Sequence, residues 1–289
     1  MIRLIASDMD GTLLSSHLSI SEKNREAIRI AEDKGIQFMI ATGRAYSEAK
    51  PALEDAGIEC PIITGNGAQV FDKHGNELFT FDIPKKSAWD IMSHLREHKL
   101  YFEVMTTRGV YSDHQPQRLE NYATLLADSL PHITYKMAIA MAATQLEMQN
   151  ITYVDSYREL IDDNQLKILK IIAFDEKGPA VLQPASDAIQ QVEDIIVTSS
   201  FPNNIEINHF RAQKGTAVQI MADNLEIPLE RVMTIGDNFN DISMLKIAGV
   251  SFAMANAEPE VKQIAKYETD TNLNDGVGRA ILRAIEEQL

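Results

Sequence analysis

The strongest restriction on the fold is one pattern that occurs at both ends of the chain. Near the start, the apolar run Leu4-Ile5-Ala6 gives way to Asp8-Met9-Asp10-Gly11-Thr12. Far downstream, Arg231 to Ile235 gives way to Gly236-Asp237-Asn238-Phe239-Asn240-Asp241. Each run reads as a buried strand ending in a polar turn that contains glycine. Ser21 to Gly35 reads as a capped helix with Ala27, Ile28 and Ala31 on one stripe, and Ile36 to Ala41 as a strand ending in Thr42-Gly43-Arg44. Strand–helix–strand units of this kind pair their strands in parallel through right-handed crossovers. Open parallel sheets collect ligands at the carboxyl ends of their strands, so Thr42 is expected to face the same crevice as Asp8. Ile62-Ile63 repeats the pattern and ends in Thr64-Gly65-Asn66-Gly67-Ala68. The period then changes to a hairpin, with residues 69–71 and 77–80 flanking a turn at 72–76.

The middle of the chain differs. Strands are expected at Tyr101 to Met105, Val110-Tyr111, Leu166 to Phe174, Ile195 to Thr198 and Ile205 to Asn208. Helices are expected from Pro84, over Asn121 to Leu130, and over Ala180 to Gln191. That excess of strands indicates an α+β module with an antiparallel sheet. Residues 132–155 show no clear period, and Met137, Met141 and Met148 are read as packing filler. After Asn208 the alternation returns, with a helix at Lys214 to Ala222, a strand at Val250 to Ala253, and helices at Glu258 to Ala265 and Asp275 to Glu287. The expected fold class is therefore α/β. Residues 1–82 and 210–289 form a discontinuous, Rossmann-like, three-layer core on a parallel sheet. Residues 83–209 form an inserted α+β cap domain, an insertion tolerated when it enters at a surface loop.

Forty-two acidic against 27 basic residues give a net charge of −15 and a pI near 4.9. That field opposes binding to nucleic acid or to anionic membranes. It also repels phosphorylated substrates, so a phosphate site in this chain requires local positive charge. No apolar stretch approaches the roughly 18 residues of a membrane span, and no secretory signal is visible. The expectation is a cytoplasmic protein, a monomer or weak homodimer, with neither nucleic-acid nor membrane partners. The single Cys60 excludes an intrachain disulfide.

Asp8 and Asp10 stand two residues apart at a strand end, close enough to share one cation. Like charges so near each other repel unless a metal or proton lies between them. With Asp237 they offer hard oxygen ligands, and no His or Cys lies nearby in sequence, which describes Mg²⁺ better than Zn²⁺. Lys214, at a helix terminus, can bring an ammonium to the same crevice. A cation, a lysine, a threonine hydroxyl and turn N–H groups are the parts that hold a phosphoryl group and neutralise its charge in transfer. Held ionised by a metal and Lys214, Asp8 keeps an oxygen able to attack phosphorus. Asp10 can give a proton to the leaving group and then assist water.

Taken together, these motifs resemble the haloacid-dehalogenase-like hydrolase superfamily, and within it the Cof-type subfamily IIB, which carries a large α/β cap after its second motif. Asp8 to Leu14 is similar to the first motif, Thr42-Gly43-Arg44 to the second, Lys214-Gly215-Thr216 to the third and Gly236 to Asp241 to the fourth. Asn66-Gly67-Ala68 is also typical of the subfamily. The resemblance implies that Asp8 is the nucleophile and Asp10 the general acid/base, the latter meeting Mg²⁺ through its backbone carbonyl. It implies that Asp237 ligates the metal directly and Asp241 directly or through water. Thr42, Gly43, Lys214 and Asn240 would hold the phosphoryl. The implied activity is an Mg²⁺-dependent phosphatase acting on small phosphorylated metabolites, above all sugar phosphates, through an aspartyl-phosphate. Flavin mononucleotide or pyridoxal phosphate are alternative substrates. A phosphomutase is a second reading, and a silent phosphate-binding module a third, which the complete set of motif residues opposes. Substrate choice is expected in the cap. There Asn203, Asn204, Glu206 and Asn208 either hydrogen-bond substrate hydroxyls or simply build a polar hairpin.

Overall fold

The structure is a computed structural model that describes residues 1–15, 19–129, 132–148, 151–201 and 203–289. The chain divides into two compact units, Met1–Phe81 with Arg211–Leu289, and Asp82–Phe210.

The first unit opens with β1 (Leu4–Ser7), α1 (Glu22–Asp33), β2 (Gln37–Ala41), α2 (Tyr46–Ala56), β3 (Ile62–Thr64), β4 (Gln69–Phe71) and β5 (Glu77–Thr80). Ser21 caps α1 by accepting a hydrogen bond from the Asn24 N–H at 3.2 Å. Gly57, in the left-handed region at φ +67°, ends α2. β1 pairs with β2 in parallel, and β3 continues that direction. β4 and β5 then run antiparallel as the hairpin.

The second unit contains α3 (Lys85–Glu97), β6 (Tyr101–Thr106), β7 (Gly109–Ser112), α4 (Gln115–Ser129), α5 (Tyr135–Met148), β8 (Ile151–Tyr153), α6 (Arg158–Asp162), β9 (Ile168–Phe174), α7 (Pro179–Ile189), β10 (Ile195–Thr198) and β11 (Asn204–His209). Its six strands run in the order β10-β11-β9-β6-β7-β8, antiparallel except for the β7–β8 pair. Ile91 and Leu95 of α3, and Leu182, Ala185 and Ile189 of α7, pack with Phe102, Val104, Ile171, Ala173, Ile205 and Ile207 of the sheet. Each such aliphatic side chain, fully buried, contributes about 1.5–3 kcal/mol. Strand alternation places Lys170, Glu206 and Glu103 on the opposite face.

The chain then returns to the first unit as α8 (Lys214–Asn224), β12 (Val232–Gly236), α9 (Ile242–Ile247), β13 (Val250–Ala253), α10 (Pro259–Ile264), β14 (Tyr267–Glu268) and α11 (Gly276–Glu286). The eight-stranded sheet runs β14-β13-β12-β1-β2-β3-β4-β5, so β1 lies between β2 and β12. Two apolar layers cover it. Ile5, Ile40 and Phe252 face α1, α2, α10 and α11, whereas Leu4, Ala6, Met39 and Val232 face α8 and α9. Register carries the consequence for function. Ser7 pairs with Ile235 and with Ile40, so Asp8, Asp237 and Thr42 follow at the same edge of the sheet.

The core sheet is the expected parallel one from β14 to β3, and the expected β4–β5 hairpin extends it antiparallel at one edge. Some sequence-based expectations change. β14 is too short to leave a periodic signal. Residues 132–155 include α5, whose nearly continuous run of small apolar residues hides its period while Ala138 and Ala142 pack on Ala123 of α4. Met137 fills no gap there, being 52% exposed. The Met148 side chain lies outside the described set.

Candidate active site

At the end of β1 the Asp8 N–H donates to the Ile235 carbonyl at 2.9 Å, which pins the residue between two parallel neighbours. The chain then makes one wide turn over Met9–Leu13, inside which Gly11 has φ +73°. A Cβ at Gly11 would stand 2.4 Å from Asp237 Oδ2, so this position excludes other side chains on both conformation and space. Thr12 Oγ1 donates to Asp237 Oδ1 at 2.7 Å. Buried Asn24 of α1 donates weakly to the Leu13 carbonyl and accepts from the Gly278 N–H of α11 at 2.8 Å, tying the turn to two helices.

Lys214 is the first residue of α8 and has no exposed surface. Its Nζ donates to Asp8 Oδ1 and to Asp241 Oδ1, both at 2.6 Å. Asp241 Oδ2 accepts from the N–H groups of Asp237 and Asn238 at 2.9 and 3.0 Å. The start of α8 is held by close backbone approaches. A Cβ at Gly67 would be 2.5 Å from the Gln213 carbonyl oxygen, and one at Gly215 would be 2.5 Å from the Ser243 backbone. The Gly65–Gly67 turn also carries Asn66, buried with φ +62°, whose Oδ1 accepts from Asn240 Nδ2 at 3.2 Å. Thr42 is wholly buried at the end of β2, and its Oγ1 accepts from the Arg44 N–H at 3.1 Å. Gly43 follows it at the same strand end.

Carboxylate oxygens of Asp8, Asp237 and Asp241 lie within 4.8 Å of one another, and all three residues are buried. Burial first, and then Asp241, hold the Asp8 carboxyl well above the usual range, against the pull of Lys214. Asp237 is pushed up to about 7 by burial and then by Asp241. Burial alone would lower Lys214, but Asp241 and Asp8 outweigh it and hold its pKa above the ordinary value. With every group ionised, three carboxylates around one ammonium leave two negative charges uncompensated. A divalent cation would supply the missing charge, and the oxygen-only donor set suits a hard ion.

The carboxylate of Asp10 is not part of this cluster. It turns to Arg44, whose Nε and Nη2 donate to Asp10 Oδ2 and Oδ1 at 2.8 and 2.5 Å. Asp237 and Asp241 therefore occupy the place that the first turn, read alone, would give to Asp10. Thr12 and Arg44 both lie inside recognised motifs, yet their partners are 225 and 34 residues away in sequence, and no local pattern reports such pairings.

In the second unit the four hairpin candidates have partners within their own module. Asn204 Oδ1 accepts from the N–H groups of Ser200 and Phe201, and its Nδ2 donates to Ser200 Oγ. Glu206 pairs with Lys170 at 2.8 Å, with both side chains buried. Asn208 Nδ2 donates to the Leu169 carbonyl at 3.1 Å, and the Asn203 carbonyl accepts from the Asp175 N–H at 3.1 Å. Lys170 carries no local signal because it interrupts an otherwise apolar strand. Among the described residues, no helix is long and apolar enough to cross a membrane.

A family model for haloacid dehalogenase-like hydrolases matches residues 5–281. The chain belongs to the haloacid dehalogenase-like hydrolases. It is 34% identical over 281 residues to phosphatase YwpJ of Bacillus subtilis, covering 96% of this chain and 97% of that one. It is 32% identical over 285 residues to the 5-amino-6-(5-phospho-D-ribitylamino)uracil phosphatase YcsE of the same organism, covering 97% and 94%. The solved structure of a haloacid dehalogenase-like hydrolase from B. subtilis superposes with a TM-score of 0.87 at 32% identity, covering 97% of this chain and 99% of that one. As a haloacid dehalogenase-like hydrolase with this buried acidic cluster, the protein is a phosphoric monoester hydrolase that acts on small phosphorylated metabolites.

Proposed function

We propose that this hydrolase cleaves sugar or sugar-alcohol monophosphates with Mg²⁺, using Asp8 as nucleophile. The observation that carries the proposal is the buried Lys214 ammonium bridging Asp8 and Asp241, with Asp237 beside them. That arrangement keeps one Asp8 oxygen engaged by a cation, and with a divalent ion added to Lys214 the carboxylate would be held ionised for attack. Asp8, Asp237, Asp241 and the Asp10 backbone carbonyl are the residues that would hold Mg²⁺. Once bound, the ion supplies charge neutralisation at the phosphoryl oxygens.

The chain's own groups carry the remaining steps. Thr42 accepts from the Arg44 N–H and keeps its hydroxyl proton for a phosphoryl oxygen. Lys214, the Gly43 N–H and Asn240 complete the phosphoryl cradle, and Asn66 fixes the Asn240 amide. Asp8 displaces the ester oxygen, Asp10 protonates it, and Asp10 then takes a proton from the water that cleaves the aspartyl-phosphate. The local cation Lys214 answers the repulsion that a chain of net charge −15 exerts on a phosphate ester.

The substrate class rests on two supports. YcsE acts on a phosphorylated ribityl chain, by its name, and shares most of its length with this protein. The second unit, 82–210, carries Lys170, Glu206 and Asn208 on the sheet face opposite α3 and α7, and such groups suit hydroxyl-rich ligands. We assign substrate discrimination to that unit. Asn204, engaged on both sides of its amide by the hairpin, is the least suited of the four candidates.

The test is phosphate release from a panel of sugar phosphates, sugar-alcohol phosphates, flavin mononucleotide and pyridoxal phosphate at millimolar Mg²⁺. The highest kcat/KM is expected on a sugar or sugar-alcohol phosphate, with loss of turnover in Asp8→Asn. No turnover of any ester overturns the reading. Conversion to an isomeric phosphate without free phosphate would instead indicate a mutase.

A further inference from the structure

The Arg44–Asp10 pair has a geometry that ordinary surface ion pairs lack. Two guanidinium nitrogens meet the two oxygens of one carboxylate, at 2.8 and 2.5 Å. The third, Nη1, donates to the Glu48 carbonyl at 3.4 Å, so the whole guanidinium is engaged. The Arg44 backbone is anchored as well. Its N–H donates to Thr42 Oγ1 at 3.1 Å, and its carbonyl accepts from the Gly65 N–H at 3.0 Å. The Arg44 side chain is 24% exposed and that of Asp10 is 40% exposed. A fork of this kind fixes the plane of a carboxylate as well as its charge, which a lysine cannot do.

A carboxylate gripped by two N–H groups of one fork has its place and its plane fixed. A fixed proton acceptor is needed in the second half of the reaction. There the water oxygen bonds to phosphorus, the bond from phosphorus to the Asp8 oxygen breaks with its electron pair returning to Asp8, and a water proton passes to Asp10. We propose that Arg44 is a positioning residue for this step, holding the Asp10 carboxylate in the place and plane from which it receives the proton from water. The proposal rests on the phosphatase reading above, with Asp8 as nucleophile.

The experiment uses p-nitrophenyl phosphate, whose leaving group departs as a stable phenolate and needs no proton from Asp10. Formation of the aspartyl-phosphate from this ester is thereby insulated from Arg44, and only its hydrolysis is exposed. Arg44→Ala should lower kcat by about 10- to 100-fold, the usual range for misplacing one catalytic group. kcat/KM, which counts only the steps through departure of nitrophenolate, should change by less than about threefold. Stopped flow should show a burst of nitrophenolate close to one per active site, followed by slow turnover. Arg44→Lys keeps the charge without the fork and should show the same burst with an intermediate kcat, which also covers a poorly folding alanine variant. In the double variant Arg44→Ala/Asp10→Asn, kcat should match that of Asp10→Asn alone, because Arg44 acts through Asp10.

Parallel loss of kcat and kcat/KM with no burst would overturn the inference, as would losses that multiply in the double variant. Asp8→Asn distinguishes the two failures. If wild-type protein hydrolyses the ester and Asp8→Asn does not, a missing burst counts against Arg44 alone. Continued turnover by Asp8→Asn counts against the phosphatase reading itself.

Discussion

Replacing Lys214 by methionine removes the one ammonium from the buried acidic cluster while keeping much of the side chain's volume. Lys214 is fully enclosed, and the Asp8 and Asp241 side chains it bridges are 7% and 0% exposed. Without a divalent ion, the wild-type cluster holds two uncompensated negative charges, and the variant holds three. Removing one partner of a buried pair costs about 3–5 kcal/mol. At about 2–4 °C per kcal/mol for a domain of this size, that is a fall in Tm of roughly 10 °C. The sign of the pH dependence follows from the carboxyls. Asp8 and Asp237 bind protons more tightly in the folded chain than an ordinary aspartate does, Asp237 up to about 7. Their contribution to stability is therefore complete below the ordinary aspartate range and is lost as pH rises through their raised values, about 7 for Asp237. In Lys214→Met the counter-pull of the ammonium is gone, so a proton can replace it in acid but not in base. The deficit should be small at pH 5 and full at pH 8, and Mg²⁺ should recover part of it at pH 8. Thermal melts followed by circular dichroism at both pH values, with and without Mg²⁺, measure all of this. Equal melting temperatures at pH 8, or a deficit of the same size at pH 5, would refute the charge argument.

Further outcomes follow from single contacts. Asp237→Asn takes one charge out of the repelling cluster, so it should raise the Tm of the metal-free protein at pH 8 while erasing both Mg²⁺-induced stabilisation and turnover; a lower metal-free Tm would contradict the assigned repulsion. Gly11→Ala drives a methyl into Asp237 and strains a left-handed residue, at about 1–2 kcal/mol, so Mg²⁺ titration of turnover should shift to roughly 5- to 30-fold higher concentration. Lys170→Met leaves the Glu206 carboxylate buried without its cation and should cost about 3–5 kcal/mol in a urea melt, most of it regained in Lys170→Met/Glu206→Leu; a neutral single variant would show that this pair is solvated.

Much of this architecture is legible along the chain because it is local. Apolar runs such as Leu4 to Ala6 and Val232 to Ile235 end in turns rich in aspartate and glycine, and pairing those strands in parallel carries their ends to one edge. The order of motifs alone predicts that Asp8, Thr42, Lys214 and Asp237 share one crevice. Pairing across the sheet is not local. Thr12 reaches Asp237 across 225 residues, and Lys214 reaches Asp8 across 206. Nothing near Asp10 in sequence marks Arg44 as the group that turns its carboxylate out of the metal cluster. In the inserted unit, the same asparagine-rich turn fits a ligand contact or a hairpin cap. Only the three hydrogen bonds of the Asn204 amide show how that residue is spent. Helix α5 is not legible in the sequence because alanine and methionine on nearly every face leave no polar stripe to define a period.

The most direct measurement is to trap the intermediate. Wild-type protein mixed with substrate and Mg²⁺, quenched in acid within milliseconds and digested, should yield the peptide containing Asp8 with one added phosphoryl group, and that label should disappear into free phosphate during a chase. The Asp8→Asn protein should give no labelled peptide and no phosphate. Steady turnover with no phosphorylated peptide, or with the phosphoryl on a different residue, would contradict Asp8 as the nucleophile.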